Sequence, residues 1–165
     1  MHKHVASIKA LIIAGLLQSV KVEVVTTKES LAFYDRADVV KMAGGRMRSH
    51  KIRDPILYIG LRRWADIVLV APCSASTLSK IAHGLCDNFL ATSLLHALAP
   101  TTPTYIFTAM NMLMYEHPLI AEHVRIVRDV VQYQIVEPIA KNIVCRDVRL
   151  GVMTERCDVV KIVVD

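Results

Sequence analysis

The chain has little of what would mark a secreted, membrane-spanning or nucleotide-hydrolysing protein. Its four cysteines, Cys73, Cys86, Cys145 and Cys157, show neither C-x-x-C spacing nor the density of a disulfide-stapled module, so reduced thiols in a cytoplasmic protein are expected. Its six glycines form neither G-x-G-x-x-G nor G-x-x-x-x-G-K-[ST], which removes the main support for a dinucleotide fingerprint or a phosphate loop. Seven histidines include no H-E-x-x-H and no Cys/His zinc spacing, and no metal is expected. No apolar run reaches the length of a membrane span. The run Ala10 to Leu17 after Lys3 and Lys9 lacks a small-residue cleavage site and leads through Gln18 and Lys21 into a strand-like segment, so it reads as an amphipathic helix rather than a signal peptide. Aromatics are only 5% of the chain and are not interleaved with its basic residues as a base-stacking surface requires, which argues against a nucleic-acid partner.

What is present suits one domain over 1–165: 53% of the 165 residues are hydrophobic and 21% charged, ample for a core and unlike a disordered chain. The net charge of +5 is local, because Lys41, Arg46, Arg48, Lys51, Arg53, Arg62 and Arg63 face a single acid, Asp54, in their stretch. Such a patch suits a solvated loop or a phosphorylated small molecule.

The order of segments predicts the fold class. Ser7 to Leu17 has helical apolar spacing; Val20 to Thr27 alternates as a strand; Asp35 to Pro55, with the pair Gly44 and Gly45, reads as a long connection. Ala65 to Pro72 is a continuous apolar run ended by proline, as in a strand buried on both faces. A helix over Ser74 to Ala82 closed by Gly84, a second capped by Asp87 and carrying Leu90, Leu94 and Leu98, and a break at Pro100 to Pro103 follow. Thr104 to Thr108 reads as a strand, Pro118 opens a helix with Leu119, Ile120, Val124 and Val127 on its stripe, and Val130 to Val136 reads as a strand. This alternation predicts a three-layer α/β domain with a parallel sheet, Rossmann-like or flavodoxin-like, with chemistry just after Val70, Thr108 and Val136.

Two stretches carry chemical signals. Pro72-Cys73-Ser74-Ala75-Ser76-Thr77 brings small hydroxyl residues to a helix start, where free N–H groups and hydroxyls can bind an anion or the polar edge of a flavin. Cys145 lies in Lys141-Asn142-Ile143-Val144-Cys145-Arg146-Asp147, where cations favour thiolate, making it the best reactive thiol, whereas Cys73 and Cys86 sit beside core elements.

Longer strings are more specific. Leu61-Arg62-Arg63-Trp64-Ala65-Asp66, then Ala71 to Leu78, then Lys80 to Asn88, resemble the LRRWAD, APLSANTL and KIA-x-G-x-CDN signatures of the phosphopantothenoylcysteine decarboxylase and halotolerance-protein flavoproteins. Thr108-Ala109-Met110-Asn111-Met112-Leu113-Met114-Tyr115 is similar to that family's PAMN-x-x-MW motif, and Cys145 to Glu155 resembles its substrate-recognition clamp. The resemblance implies a flavodoxin-like fold, FMN, a homotrimer or assembly of trimers, and decarboxylation of phosphopantothenoylcysteine to phosphopantetheine in coenzyme A biosynthesis. It implies that the flavin oxidises the substrate thiol to a thioaldehyde, an electron sink that lets carbon dioxide leave, and then returns the electrons.

By the same match, Asn111 holds the substrate carboxylate, Met114 contacts substrate and Cys145 serves the final reduction. Ser74, Ala75, Thr77 and Ala109 fall on FMN-site positions, with Thr27 and Ser30 in a second, phosphate-side loop. The departures are as informative. The family's histidine precedes LRRWAD by three positions, where this chain has Tyr58, a poor base near neutrality because its pKa is about 10. Ser76 replaces the Asn of SANT, Arg146 a glycine and Tyr115 a tryptophan. Val5-Ala6-Ser7-Ile8-Lys9 matches V-A-x-I-K, yet Lys3 and His4 occupy the Gly-Ser phosphate turn and the first strand is lacking, which reads as an incomplete version of a longer protein. Two alternatives follow: a non-catalytic subunit of a mixed trimer whose partner chain supplies the histidine, or a halotolerance-type protein phosphatase inhibitor, for which the acidic tail and extra amino-terminal sequence are missing.

Overall fold

The computed structural model describes residues 24–25, 47–48, 55–87, 95, 98, 101–141, 150–153 and 159. The chain divides into two compact units, Met1–Ile52 with Glu155–Asp165, and Arg53–Thr154. In the first, β1 (Val24–Val25) pairs in parallel with β2 (Met47–Arg48), Val24 opposite Met47 and Val25 opposite Arg48. β1 falls inside the expected strand at 20–27, whereas β2 falls inside the segment expected to be a connection. Two residues of strand are too short to leave a period in a basic, glycine-containing sequence. The expected helix at 7–17 and the question of a lacking first strand lie outside the described residues.

The second unit runs α1 (Pro55–Trp64), β3 (Val68–Cys73), α2 (Ala75–His83), β4 (Thr104–Thr108), α3 (Met112–Tyr115), α4 (Pro118–Arg125), a π-helical turn (Ile126–Val130), β5 (Gln134–Val136), β6 (Ile139–Lys141) and β7 (Leu150–Val152). Proline opens α1, where its missing N–H is no loss, and Arg62 and Arg63 close it, where cations suit the carbonyl end of the dipole. This helix, which contains the LRRW string, was not anticipated.

β3, β4 and β5 form a parallel sheet in that order, so the expected α/β class is found. Val68 faces Thr104 and Val70 faces Ile106; a bulge at Ala71 and Pro72 then resets the register so that Cys73 faces Thr108. On the other side Tyr105, Ile106 and Phe107 face Gln134, Ile135 and Val136. The most buried strand is β4 rather than β3. Val68 to Ala71 are half-buried, whereas β4 is flanked by β3 on one side and β5 on the other.

The core joins Cys73, Leu78, Ile81, Ile106, Ile120 and Val127, drawn from β3, α2, β4 and α4 with its π-helical extension, to Leu95 and Met110 from outside these elements. Each of its large aliphatic side chains contributes about 1.5–3 kcal/mol of transfer free energy. Of the expected second helix, Leu95 is helical and buried, and Leu98 packs against the core from a bend. Tyr133 ties Leu95 to the β5 side through its hydroxyl, which donates to the Leu95 carbonyl at 2.5 Å.

α4 begins as expected, with Pro118 in its first turn and His117 accepting from the Leu119 N–H at 3.2 Å. Its buried stripe differs by one face from the expected one. Leu119 is 63% exposed, and His123 joins Ile120 and Val127 inside. The strand expected over 130–136 is confined to Gln134–Val136. The valines at 130 and 131 read as β by composition, but burial of Val127 keeps the chain winding through the π-helical turn until Gln132 reverses it at φ 64°. β6 and β7 form an antiparallel pair, Ile139 opposite Val152 and Lys141 opposite Leu150, within or beside the expected substrate-recognition segment. Among the described residues no helix is long and apolar enough to cross a membrane.

Candidate functional site

The carboxyl ends of three parallel strands meet at one edge, and two hydrogen bonds hold them there. The Ala109 N–H donates to the Cys73 carbonyl at 2.9 Å, joining the chain past β4 to the end of β3. The Thr108 hydroxyl donates to the Val136 carbonyl at 2.9 Å, joining β4 to the end of β5. The turn at Ser74 and the loop bearing Asn111 are therefore neighbours on the same sheet edge, where a parallel α/β sheet places its ligands.

Ser74 is the N-cap of α2, extended at φ −78° and ψ 164°, with its hydroxyl accepting from the Thr77 N–H at 3.2 Å and lying 3.1 Å from the Thr77 hydroxyl. The first main-chain bond of the helix runs from the Leu78 N–H to the Ser74 carbonyl. The N–H groups of Ala75 and Ser76 precede it, so they have no partner in the helix ladder. Ser74 and Ser76 are exposed and Thr77 half-buried. An open helix start with hydroxyls and outward N–H groups fits the carbonyl oxygens and ring nitrogens along a flavin's polar edge. Gly84 ends α2 in the left-handed region at φ 67°, its N–H returned to the Ile81 and Lys80 carbonyls. Cys73, beneath this turn, is fully buried, and burial pushes its thiol up to about 12, which makes it inert structure.

Asn111 caps α3. Its side-chain oxygen accepts from the Leu113 N–H at 2.8 Å, and its carbonyl accepts from the Met114 and Tyr115 N–H groups at 3.0 and 2.9 Å. Because only the amide oxygen can face an N–H, the NH2 half of the side chain points elsewhere with two donors to offer. Met110 anchors the loop from the core, while Leu113 and Met114 of α3 are 69% and 50% exposed. Tyr115 packs against the core and its hydroxyl pKa is raised, by burial first and by Glu137 second, against the opposing effect of Arg128.

Of the residues expected in the site, the structure brings Ser74, Ala75, Thr77, Ala109, Asn111 and Met114 to the ends and immediate extensions of β3 and β4. Tyr58 is the fourth residue of α1, and its side chain lies outside the described structure, as do Thr27, Ser30 and Cys145. Cys86, expected beside the core, is instead exposed, because it follows the Gly84 stop rather than entering a packed element. Thr108 was read as the end of a strand and the start of the PAMN-like string, with no role in the site; its hydroxyl bond across the sheet leaves no trace in a linear pattern.

Among the described histidines two rings meet, that of exposed His83 and that of buried His123. The His83 and His123 rings meet edge to face at 4.9 Å between α2 and α4; His83 donates from Nδ1 to the Ser79 carbonyl at 2.8 Å, and His123 Nδ1 is buried without a partner. Among the described residues, no three metal-ligating side chains come together.

The family model described as "Flavoprotein" matches residues 4–165. The mouse phosphopantothenoylcysteine decarboxylase is 40% identical over 158 residues, covering 92% of this chain and 76% of that protein. Coenzyme A biosynthesis protein 3 of Saccharomyces cerevisiae is 44% identical over 109 residues, 66% of this chain, yet this chain spans only 19% of that protein's length. Among solved structures, a PPC decarboxylase mutant complexed with pantothenoylaminoethenethiol superposes with a TM-score of 0.76 at 34% identity, covering 94% of this chain and 90% of that one. The FMN binding protein AtHal3 superposes with a TM-score of 0.74 at 34% identity, covering 94% and 89%.

Proposed function

The chain belongs to the flavoprotein family, among the phosphopantothenoylcysteine decarboxylases and HAL3 proteins, and from that premise we propose that it binds FMN and decarboxylates phosphopantothenoylcysteine or a closely similar small substrate. The observation that carries this reading is the 2.9 Å bond from the Ala109 N–H to the Cys73 carbonyl, which sets the hydroxyl-rich turn and the Asn111 loop side by side. We read residues 1–165 as one such domain.

In this reading, the turn Ser74, Ala75 and Thr77 and the backbone at Ala109 hold the isoalloxazine edge, with Thr27 and Ser30 on the phosphate side. Bound FMN would supply the two-electron oxidation and its reversal that make the substrate carboxylate a leaving group. The Asn111 NH2 group, oriented by the bond its oxygen accepts from Leu113, donates to that carboxylate and fixes it beside the cofactor site. Met114, half-exposed next to it, gives the substrate an apolar wall that excludes water. Cys145 serves the closing reduction, and Tyr58 stands where the resembled motif has a histidine.

The test is carbon dioxide release from phosphopantothenoylcysteine with added FMN, alongside flavin retention by absorbance, for this chain and for Tyr58→His. Restoring imidazole at position 58 is expected to raise turnover by about 100-fold, the lower range for a positioned acid–base group. Equal rates would show that Tyr58 is not the limiting defect; neither flavin retention nor product in either protein would overturn the decarboxylase reading. Tyr58 also favours a second reading, in which the chain is a subunit of a mixed trimer. Mixing with a histidine-bearing homologue then restores turnover, and no rescue removes that reading.

A further inference from the structure

We propose that Thr108 is a positioning residue of this site, its hydroxyl bond to the Val136 carbonyl fixing the direction in which the Ala109–Asn111 loop leaves the sheet. Its consequence for turnover rests on the decarboxylase reading; its effect on the loop does not.

The β4–β5 ladder ends with Phe107 opposite Val136. One residue on, the Thr108 side chain takes over, with its hydroxyl 2.9 Å from the Val136 carbonyl. Thr108 is 0% exposed, so its hydroxyl has no water to turn to and its hydrogen bond cannot be exchanged for one with solvent. The following residue is held from the opposite side, by the Ala109 N–H on Cys73. With the Ala109 bond alone the loop could pivot about β3; with both, the end of β4 is pinned to each neighbouring strand. Asn111 comes three residues after Thr108, so a small change of exit angle moves its amide relative to the Ser74 turn. The same bond registers the end of β5, where Glu137 lies close enough to Tyr115 of α3 to raise its pKa.

The resembled PAMN motif has proline at this position. A proline ring restricts its own φ covalently and carries no hydroxyl. Threonine leaves φ free, and the cross-sheet bond supplies the restraint instead.

Thr108→Val keeps the shape and β-branching and deletes the donor; Thr108→Ser keeps the donor. Hydrogen exchange at the 109–113 amides of the flavin-free protein, FMN affinity by fluorescence titration, and kcat and KM for carbon dioxide release are measured on each. The valine variant should exchange faster at 109–113 with α4 unchanged, bind FMN about fivefold more weakly and lose about fivefold in kcat with a smaller change in KM, the worth of one net hydrogen bond. Serine should restore all three to within about twofold. Unchanged exchange in the valine variant, a loosened loop with FMN affinity and kcat unmoved, or a serine variant that behaves like valine would each overturn the proposal. Should the parent chain neither bind FMN nor release carbon dioxide, the decarboxylase reading fails and the exchange comparison alone decides the fastener. If the valine variant does not fold, Thr108→Ala takes the same measurements.

Discussion

Replacing Asn111 by aspartate separates its two jobs, because the cap and the proposed carboxylate contact use opposite halves of one amide. The oxygen accepts from the Leu113 N–H at 2.8 Å, and an aspartate oxygen can accept that bond equally well at a helix start. Stability should therefore stay within about 0.5 kcal/mol of the parent for Asn111→Asp, whereas Asn111→Ala should lose about 1 kcal/mol. The NH2 half is lost in both. A hydrogen bond to a charged group contributes about 1.5–3 kcal/mol, so loss of the donor should lower kcat/KM by about 10- to 150-fold. Aspartate should fall below alanine in activity despite being the more stable protein, because it places a like charge against the substrate carboxylate. Urea midpoints and carbon dioxide release on the three proteins test this inverted order. An Asn111→Asp protein that turns over like the parent would refute the idea that the amide donates to a carboxylate.

Three further outcomes follow from other parts of the molecule. Ser74→Ala removes the acceptor of the Thr77 N–H and should cost about 1 kcal/mol by denaturant unfolding, with weaker flavin retention; equal retention would separate the cap from the cofactor. The His123 pKa is pushed down by burial first and by His83 second, with Glu122 opposing. The unfolded chain then binds that proton more readily, so stability is full above a pH of about 6.5 and is lost as the pH falls through that value toward the folded pKa; His123→Leu should flatten that acid slope, and an unchanged slope counts against the assignment. An alkylating reagent at pH 8 should label exposed Cys86 well before Cys73, whose thiol is buried and pushed up to about 12; mass spectrometry showing Cys73 labelled first would contradict the core placement.

How much of this was legible depended on range along the chain. Local chemistry announced itself: Ser74 before a small-residue run, Gly84 after it, Pro118 at a helix start, and the five residues of β4 at 104–108 all lie where side-chain type predicts them. Misreadings occurred where a distant contact outweighed local preference. The valines at 130 and 131 look like strand but wind with α4, Leu119 looks like core but faces solvent, and His123 looks polar but is buried.

The sequence by itself determined the parallel α/β plan, the cap at Ser74 and, through its ordered strings, the family, because each is written in residues a few positions apart. The edge shared by the Ser74 turn and the Asn111 loop was expected from strand order; only the tertiary structure supplied the bonds that hold it, from Ala109 to Cys73 and from Thr108 to Val136 across 28 positions of chain. Hydrogen bonds between strands form between residues that sheet register, not sequence spacing, makes neighbours.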